Sequence, residues 1–246
     1  MQETQTAIFF HMGPGLHSQT EATQFGSQFP HVLFIDQPHN MGFSDLKYWA
    51  QEIIRAQFAI TKKKLTLLGH SFGSQIIAAA LPATQDLVEE VRLLNSPFNS
   101  FSSFTSLEEE MFPESALGFE NWKDKSVDEK MVLIFKLSAD LRLTSHYWRN
   151  LDSRNQHEAL SARLPALSIS SFLKVYMEYL NTPEPSIAWP GRVSALYSTD
   201  DALVRSRKSI EGWQNIYPNM TYMEFNKGGH YLHFENSDVA NLFFKK

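Results

Sequence analysis

Hydrophobic residues occur along the chain in short runs, separated by longer segments of mixed character. Runs typical of buried strands lie at residues 6–10, 31–35, 65–68, 88–94, 192–197 and 220–225. The segments between most of them have helical spacing. Strands that alternate with helices pair in parallel through right-handed crossovers, so the pattern predicts an α/β fold.

One of the intervening segments is clearly amphipathic. Leu46, Trp49, Ile53 and Ile60 recur at intervals of three, four and seven residues, which places them on one helical face. Ser44 precedes them and is the predicted N-cap. Further helices are predicted at residues 19–28, 74–80, 206–216 and 236–244.

The pattern changes between residues 99 and 186, where no strand is evident. Helical spacing occurs at 128–141 and 168–180, and the many aromatic residues are unlike the composition of a disordered linker. We therefore predict a helical cap formed by residues 99–186. It is inserted into an α/β core of residues 1–98 and 187–246, over the carboxyl edge of the sheet where ligands bind in such folds.

Composition narrows the classes of function. The 246 residues carry a formal net charge of −5, which gives no electrostatic reason to expect nucleic acid or an anionic membrane as a partner. The sequence contains no cysteine, which excludes disulfides, thiolate catalysis and zinc–sulfur sites. No apolar run approaches the length of a membrane span and no signal sequence is evident, so we expect a cytoplasmic protein.

The histidines do not form a metal-binding motif. Five are scattered without the spacing of metal ligands: His17, His31, His39, His146 and His157. The sequence therefore predicts no metal site and no cofactor.

A serine between two glycines, in the sequence Gly69-His70-Ser71-Phe72-Gly73, separates a predicted strand from a helix-prone segment. Strand, sharp turn and helix form the context that the G-x-S-x-G nucleophile elbow requires. The turn lifts the serine hydroxyl to the top of the sheet, and the glycines allow the two backbones to pass closely. Ser71 is therefore the candidate nucleophile.

A serine nucleophile needs a general base, and the base needs an acid that orients it. Asp200 and Asp201 follow the fifth predicted strand, and His230, in a Gly-Gly-His sequence, follows the sixth. Both loops are expected at the same edge of the sheet as Ser71. His233 lies near His230 in sequence but lacks the preceding glycines, and it is the less favoured candidate base.

With these motifs in this order, the chain resembles the α/β-hydrolase superfamily over nearly its whole length. The resemblance implies a mainly parallel sheet of about six strands flanked by helices. It also implies a triad of Ser71 as nucleophile, His230 as general base and Asp201 as acid. Asp201 matches the family's pattern of Asp, any residue, an apolar residue and Val, and Asp200 is the alternative. Relatives usually begin with two further strands, for which this chain has no room.

The resemblance further implies an oxyanion hole made of two backbone N–H groups. One is that of Phe72, directly after the nucleophile. The other is that of Gly13, in a His-Met-Gly-Pro sequence that matches the family's His-Gly-x-Pro. Met12 occupies the position of the usual first glycine, and it would be strained if that position required a positive φ.

Other residues of these motifs have secondary roles in this interpretation. Three are candidates to line the substrate pocket: Met12, His70 and Tyr231. Three are expected to be structural: His11, Asp36 and Glu235, the last as a cap or anchor of the final helix.

The substrate class is less sharply indicated. The turn from His11 to Gly15, together with Asp36-Gln37, is closest to the proline iminopeptidase branch, while the elbow sequence is widely distributed. We expect hydrolysis of a carboxyl ester or related acyl bond in a small-to-medium, largely apolar substrate. A proline iminopeptidase-like aminopeptidase is the alternative, with four glutamates as candidate ligands of the free amine: Glu108, Glu109, Glu110 and Glu114. A hydrolase fold that binds a ligand or partner without catalysis is the alternative of another class.

The strand predicted at residues 31–35 is expected at the outer edge of the sheet. Val32, Leu33, Phe34 and Ile35 make this edge hydrophobic, and unpaired backbone groups there would act as a template for association. We predict that this edge is covered by the chain's own loops or by a second copy, which would make the protein a homodimer.

Overall fold

The described residues form one sheet of six parallel strands, which confirms the predicted α/β fold. The computed structural model describes residues 4–99, 124–126, 128–129, 132–133, 147–165, 168–182, 188–201, 203–204 and 206–246. The strands are β1 (Ala7–Phe10), β2 (Val32–Ile35), β3 (Leu65–His70), β4 (Val88–Leu94), β5 (Arg192–Ser198) and β6 (Thr221–Phe225). Their order is β2-β1-β3-β4-β5-β6.

This order places a topological switch point between β1 and β3. The chain passes from β1 to β2 on one side and then crosses back to β3 on the other. In open α/β sheets, ligands bind in the crevice outside the carboxyl ends of the strands at such a point. The turn after β1 and the elbow after β3 both begin there.

Helices lie on both faces of the sheet. They are α1 (Gln19–Phe25), α2 (Phe43–Thr61), α3 (Gly73–Ala80), α4 (Leu151–Ser161), α5 (Ile169–Leu180), α6 (Ser206–Ile216), α7 (Leu232–Glu235) and α8 (Ser237–Phe244), with short 3₁₀ turns at Leu81–Ala83 and Gln85–Leu87. Among the helices that the structure describes, none combines the length and the apolar character needed to cross a membrane.

The alternation of side chains along β1 explains the two layers. Ile8 and Phe10 belong to a core cluster shared with α2, α3 and α6, whereas Ala7 and Phe9 belong to a cluster shared with α1 and α8. Successive side chains of a strand point to opposite faces, so a strand that is apolar throughout is buried on both sides.

The start of α2 differs from the prediction. The helix begins at Phe43 with Gly42 at the N-cap, so Ser44 is not the cap. Carboxylates replace it: Asp45 accepts from the Gly42 backbone N–H at 3.4 Å, and Glu178 of α5 accepts from the Ser44 N–H at 3.1 Å. Negative groups at a helix N-terminus satisfy free N–H groups and complement the helix dipole.

The buried face of α2 is also shifted from the predicted one. Leu46 is buried as expected, but the stripe continues through Ala50 and Ile54, one turn apart, while Ile60 is 73% exposed. Trp49 and Ile53 lie at the margin of the stripe and are partly buried against the core. The part of α2 that packs on the core is therefore shorter than the sequence pattern predicts, because the position of Ile60 lies beyond it.

Two described helices, α4 and α5, come from the segment predicted as a cap. The aromatic side chains of Tyr176 and Tyr179 on α5 contact the ring of Phe72, with centroid separations of 5.1 and 5.3 Å. On α4, Ser161 lies within hydrogen-bond distance (3.3 Å) of Thr20 of α1. Most of the helix predicted at 128–141 lies outside the described residues, and the division into core and cap remains a prediction.

The edge strand β2 is covered on its side-chain faces by the chain itself. Val32 and Ile35 are buried, and the ring of Phe34 lies 5.5 Å from that of Phe9 and 5.6 Å from that of Phe244. Its backbone pairs with β1 on the inner side. Association of two copies through the outer side remains a prediction.

Candidate active site

The chain forms a strained, closely packed turn between β3 and α3. Ser71 has a φ of +52°, a left-handed conformation that is uncommon for a non-glycine residue and is held here by the surrounding structure. A Cβ at Gly69 would lie 2.7 Å from the Ser74 hydroxyl oxygen, and one at Gly73 would collide with the backbone carbonyl of Phe10. Glycine at these positions therefore lets α3 approach both β3 and the turn after β1.

The turn after β1 has two glycines in the left-handed region, Gly13 at +57° and Gly15 at +79°. Met12 does not adopt a positive φ, so the strain considered for that position is absent. Within the described residues, neither the Gly13 nor the Phe72 backbone N–H donates a hydrogen bond to the protein. Both amides are therefore free to bind an anionic oxygen.

His11 holds this turn against the end of β2. The Gln37 backbone N–H donates to His11 Nε2 at 3.2 Å, so the proton of the neutral ring is on Nδ1, which lies 2.7 Å from the Met12 carbonyl oxygen. The Gln37 side-chain amide donates to the His11 carbonyl at 3.0 Å. These bonds fix the path of the backbone just before Gly13.

Replacing His11 with glutamine should reduce the acid sensitivity of the fold. Burial lowers the pKa of His11 from 6.5, an effect that outweighs the opposing bond to Met12 and the carboxylates of Glu21 and Asp36, and His17 lowers it further. Because the pKa of His11 is lower in the folded than in the unfolded chain, its contribution to the free energy of unfolding is fully present above about pH 6.5 and is lost as the pH falls. Between about pH 7.5 and about pH 5.5, urea denaturation should therefore show a smaller fall in the free energy of unfolding for the variant than for the wild type. Equal losses would contradict this.

Asp36 is placed at the start of α1. Its carboxylate accepts from the Ser18 backbone N–H at 2.7 Å and from the Gln19 side-chain amide at 2.8 Å. Burial raises the pKa of Asp36, but these hydrogen bonds outweigh it and the net direction is downward. The residue therefore anchors a helix start to the end of β2.

Asp201 and His230 form a buried pair beyond the ends of β5 and β6. Asp201 Oδ2 lies 2.7 Å from His230 Nδ1, and both side chains are almost completely buried. The other Asp201 oxygen accepts from the Leu203 backbone N–H at 2.8 Å. Because the ionised carboxylate can only accept, Nδ1 carries a proton and Nε2 of a neutral His230 ring is left with a lone pair.

Asp200 has a different set of partners. Its carboxylate accepts from the Lys227 backbone N–H at 3.0 Å, and its backbone carbonyl accepts from the Arg149 guanidinium at 2.6 Å. The two neighbouring carboxylates thus contact different residues of the loop after β6. The structure brings Asp201, and not Asp200, to His230.

Ser71 lies next to His70, whose ring centroid is 5.1 Å from that of His230. In the described part of the chain, the Ser71 hydroxyl makes no hydrogen bond to His230. Hydrogen bonds between catalytic groups are often long in the absence of substrate and shorten in the bound complex.

Asn95, at the end of β4, is a residue that sequence reasoning missed. Its amide nitrogen donates to the carbonyls of Gly229 and His230 at 2.9 and 3.0 Å, and its amide oxygen accepts from the Ser198 N–H at 2.8 Å. It therefore joins the loop of the histidine to the loop of the acid. A polar residue directly after a strand, at the edge where the other motifs lie, was the available signal.

Replacement of Asn95 by glycine is expected to lower the free energy of unfolding by about 1–3 kcal/mol, because the buried Ser198 N–H and Gly229 carbonyl lose their partner. Asn95 has a φ of +41°, so glycine avoids adding backbone strain. Asn40→Gly is the matched control, since Asn40 is exposed and also has a positive φ, of +64°. Urea denaturation of both variants tests this, and equal effects would contradict it.

The backbone around His230 is held by two further contacts. The His230 N–H donates to the Tyr147 carbonyl at 2.8 Å, and a Cβ at Gly229 would collide with that same carbonyl. Glu235 accepts from the backbone N–H groups of Gly229 and Asn150. Glu235 is therefore an anchor, as expected, but it anchors the histidine loop and the start of α4.

Of the three residues predicted to line the pocket, His70 and Tyr231 have side chains that pack against other parts of the protein. His70 is fully buried, and its Nε2 donates to the His230 carbonyl oxygen at 3.0 Å. The Tyr231 ring is stacked on that of Trp148, with centroids 4.6 Å apart. Met12 is partly exposed in the turn after β1.

His233 is buried in the core. Burial lowers its pKa to about 3, and its ring centroid is 4.8 Å from that of His70. Glu21 is buried beside it, and burial raises the pKa of this carboxyl to about 7. Glu21, His70 and His233 offer atoms of the types that bind metal ions.

Several solved structures are similar to this chain. Solved structures that resemble the chain include a proline iminopeptidase-related protein from Thermus thermophilus, which is 16% identical with a TM-score of 0.75 over 100% of this chain and 89% of that one. A monoacylglycerol lipase from Paleococcus ferrophilus is 17% identical with a TM-score of 0.59, over 97% and 90%. A mutant epoxide hydrolase from Bacillus megaterium is 17% identical with a TM-score of 0.60, over 96% and 90%.

At these identities the structural similarity demonstrates the fold alone. Among curated proteins, no sequence matches the chain. A family model described as the alpha/beta hydrolase fold matches residues 11–237, which is most of the chain. The chain therefore belongs to the α/β-hydrolase family.

Proposed function

We propose that the protein is a serine hydrolase that cleaves a carboxyl ester or related acyl bond through a covalent acyl-enzyme. Ser71 is the nucleophile, His230 the general base and Asp201 the acid that orients the base. The observation that carries this proposal is the buried contact of 2.7 Å between Asp201 Oδ2 and His230 Nδ1, together with the left-handed backbone of Ser71 in the turn after β3.

The first chemical step transfers a proton and forms one bond. The Ser71 oxygen attacks the carbonyl carbon of the substrate, while His230 Nε2 accepts the hydroxyl proton. Asp201 stabilises the imidazolium that results, because its charge lies against Nδ1. Collapse of the tetrahedral intermediate expels the alcohol, which takes the proton from His230, and water then repeats the sequence to release the acid.

The negative charge of the tetrahedral intermediate develops on the former carbonyl oxygen. The free backbone N–H groups of Gly13 and Phe72 are the proposed donors to that oxygen. Two features support the pairing: both amides lack acceptors among the described residues, and Gly73 packs so closely against Phe10, just before the turn that contains Gly13, that a Cβ would collide with its carbonyl.

The substrate is proposed to be small to medium in size and largely apolar. Aromatic side chains surround the Phe72 position: Phe43, Tyr176 and Tyr179. Two of these belong to α5, within the residues 99–186 that we propose as the cap. An acyl group bound against such a surface would be recognised by its apolar area more than by polar contacts.

An aminopeptidase of the proline iminopeptidase type is the second candidate. The related structure from Thermus thermophilus and the turn from His11 to Gly15 favour it. The glutamates considered as amine ligands, Glu108, Glu109, Glu110 and Glu114, lie outside the described residues.

A substrate panel separates the two candidates. We expect para-nitrophenyl acetate and butyrate to be hydrolysed with kcat/KM values at least about tenfold above those of proline and alanine arylamides, because the carboxylate of Glu178 on α5 is engaged with the Ser44 N–H and does not offer itself to a free amine. Turnover of the arylamides alone would reject the esterase and favour the peptidase.

A catalytically idle hydrolase fold is the third possibility, and it predicts a different result. A fluorophosphonate probe reacts only with a serine whose hydroxyl is activated by a base. Stoichiometric labelling of the intact chain at Ser71 supports the proposed enzyme. A folded protein that resists the probe would indicate a binding protein.

A further inference from the structure

A second group of ligand-type side chains lies beside the candidate triad. Glu21 on α1, His70 at the end of β3 and His233 on α7 each offer one ligand atom, and these atoms lie within 4.8 Å of one another. The three residues are 2%, 0% and 1% exposed. None of them takes part in the acyl-transfer steps proposed above.

Three of the four ring nitrogens of this cluster have no hydrogen-bond partner within the described part of the chain, unlike most buried polar atoms. Because His70 Nε2 donates to the His230 carbonyl oxygen, Nδ1 of the neutral ring carries a lone pair, and this buried atom has no hydrogen-bond partner. Both buried ring nitrogens of His233 also lack one. Its Nε2 lies 3.6 Å from Glu21 Oε1, beyond hydrogen-bond distance.

The apolar surroundings of these atoms raise the free-energy cost of leaving them without hydrogen bonds. The rings of Phe25, Phe234 and Phe244 lie 5.7, 4.9 and 6.0 Å from the His233 ring. Among the described residues, no lysine or arginine forms an ion pair with Glu21. A buried carboxylate without a cationic partner requires a proton or a metal ion to neutralise it.

We propose that Glu21, His70 Nδ1 and His233 bind one divalent transition-metal ion, with Zn²⁺ as the occupant. Two imidazole nitrogens and one carboxylate oxygen are ligands that suit this ion. His70 already has the outer hydrogen bond, from its other ring nitrogen to a backbone carbonyl, that is typical of a metal-bound histidine.

The site needs only a small contraction to bind the ion. Zinc bonds to nitrogen and oxygen are about 2.0–2.2 Å long, so two ligand atoms of one ion lie at most about 4.4 Å apart. Ligand atoms that now lie within 4.8 Å of one another can reach this range by side-chain rotation.

The expected role of the ion is structural. It joins α1, the end of β3 and α7 in the core next to the candidate base. Through His70 it also fixes the hydrogen bond to the His230 carbonyl, which Asn95 shares. The ion contacts neither the substrate nor the reacting atoms, so its binding does not depend on the proposed hydrolase activity.

The sequence predicts no metal site, because its histidines lack the close spacing of a metal-binding motif. Glu21, His70 and His233 are far apart in the chain and meet only because α1, β3 and α7 converge at one end of the sheet. The prediction of no metal is thus replaced by this proposal.

The test is direct measurement of metal binding by the whole chain without an affinity tag. After removal of metals with a chelator, the wild type should bind one Zn²⁺ per chain in a calorimetric titration, and Co²⁺ should give visible absorption bands of nitrogen and oxygen coordination. His233→Gln and Glu21→Gln should each weaken Zn²⁺ binding at least about 100-fold, since loss of an outer partner alone costs about 10–100-fold.

A second pair of histidines is the main competitor, and it supplies the control. The ring centroids of His17 and His39 lie 5.2 Å apart, and His17 Nδ1 is 3.8 Å from Asp36. His39→Gln should bind Zn²⁺ as the wild type does. Binding lost in His39→Gln but retained in the core variants would overturn the proposal, as would a folded wild type that binds no metal. If the core variants fail to fold, the wild-type and His39→Gln titrations still decide.

Discussion

Replacing Ser71 with alanine is expected to lower kcat for the best ester substrate by about 10⁶-fold, which is the scale of loss when a serine nucleophile is removed. The remaining turnover would come from substrate binding and the oxyanion donors. KM should change little, because the alanine removes a bond that forms only in the reaction. Steady-state kinetics with a para-nitrophenyl ester measures this effect.

Ser74→Ala is the matched control for that substitution. Ser74 lies one turn further along α3, and its buried hydroxyl is hydrogen-bonded to that of Ser96. We expect this variant to retain activity and fluorophosphonate labelling. Comparable losses in the two variants would mean that a folding defect, and not a missing nucleophile, explains the result for Ser71.

The second large effect is expected for Asp201→Asn. Asparagine keeps the size of the side chain, but it removes the charge that stabilises the His230 imidazolium and it allows the ring to adopt the other tautomer. A loss of about 10⁴-fold in kcat should follow. The fold should persist, because the amide can still accept from the Leu203 N–H.

Asp200→Asn is the matched control, because it removes a carboxylate from the same loop without touching the contact to His230. Asp200 accepts from Lys227 and has no bond to His230 among its described contacts. Its replacement should lower kcat less than about tenfold. If the losses at the two positions were reversed, Asp200 would be the acid and the sequence pattern after Asp201 would have been misread.

Local pattern was sufficient to predict the sheet and the turns at its edge. Strand β1 is apolar throughout because both of its faces are covered, and this signal does not depend on distant residues. The elbow could be predicted because Gly69 and Gly73 are required by close backbone contacts within one strand–turn–helix unit. The boundary of α2 could not, since the carboxylate of Glu178 that binds its first turn comes from a distant helix.

The network around the candidate base was also beyond sequence reasoning. Asn95 makes three hydrogen bonds to two other loops. A single asparagine after a strand is common in turns, so its sequence position alone does not indicate these bonds. The cluster of Glu21, His70 and His233 likewise depends on three elements meeting in space. Such features arise from tertiary convergence, for which periodicity contains no information.

Glu235 has a consequence for the way in which a substrate reaches the site. The same carboxylate binds the loop before His230 and the first amides of the segment that leads into α4. Lifting α4 away from the sheet would break those bonds and remove part of the support of the histidine loop. An entrance on that side would therefore disturb the candidate base whenever it opened, whereas an entrance beside α5 would leave these bonds intact.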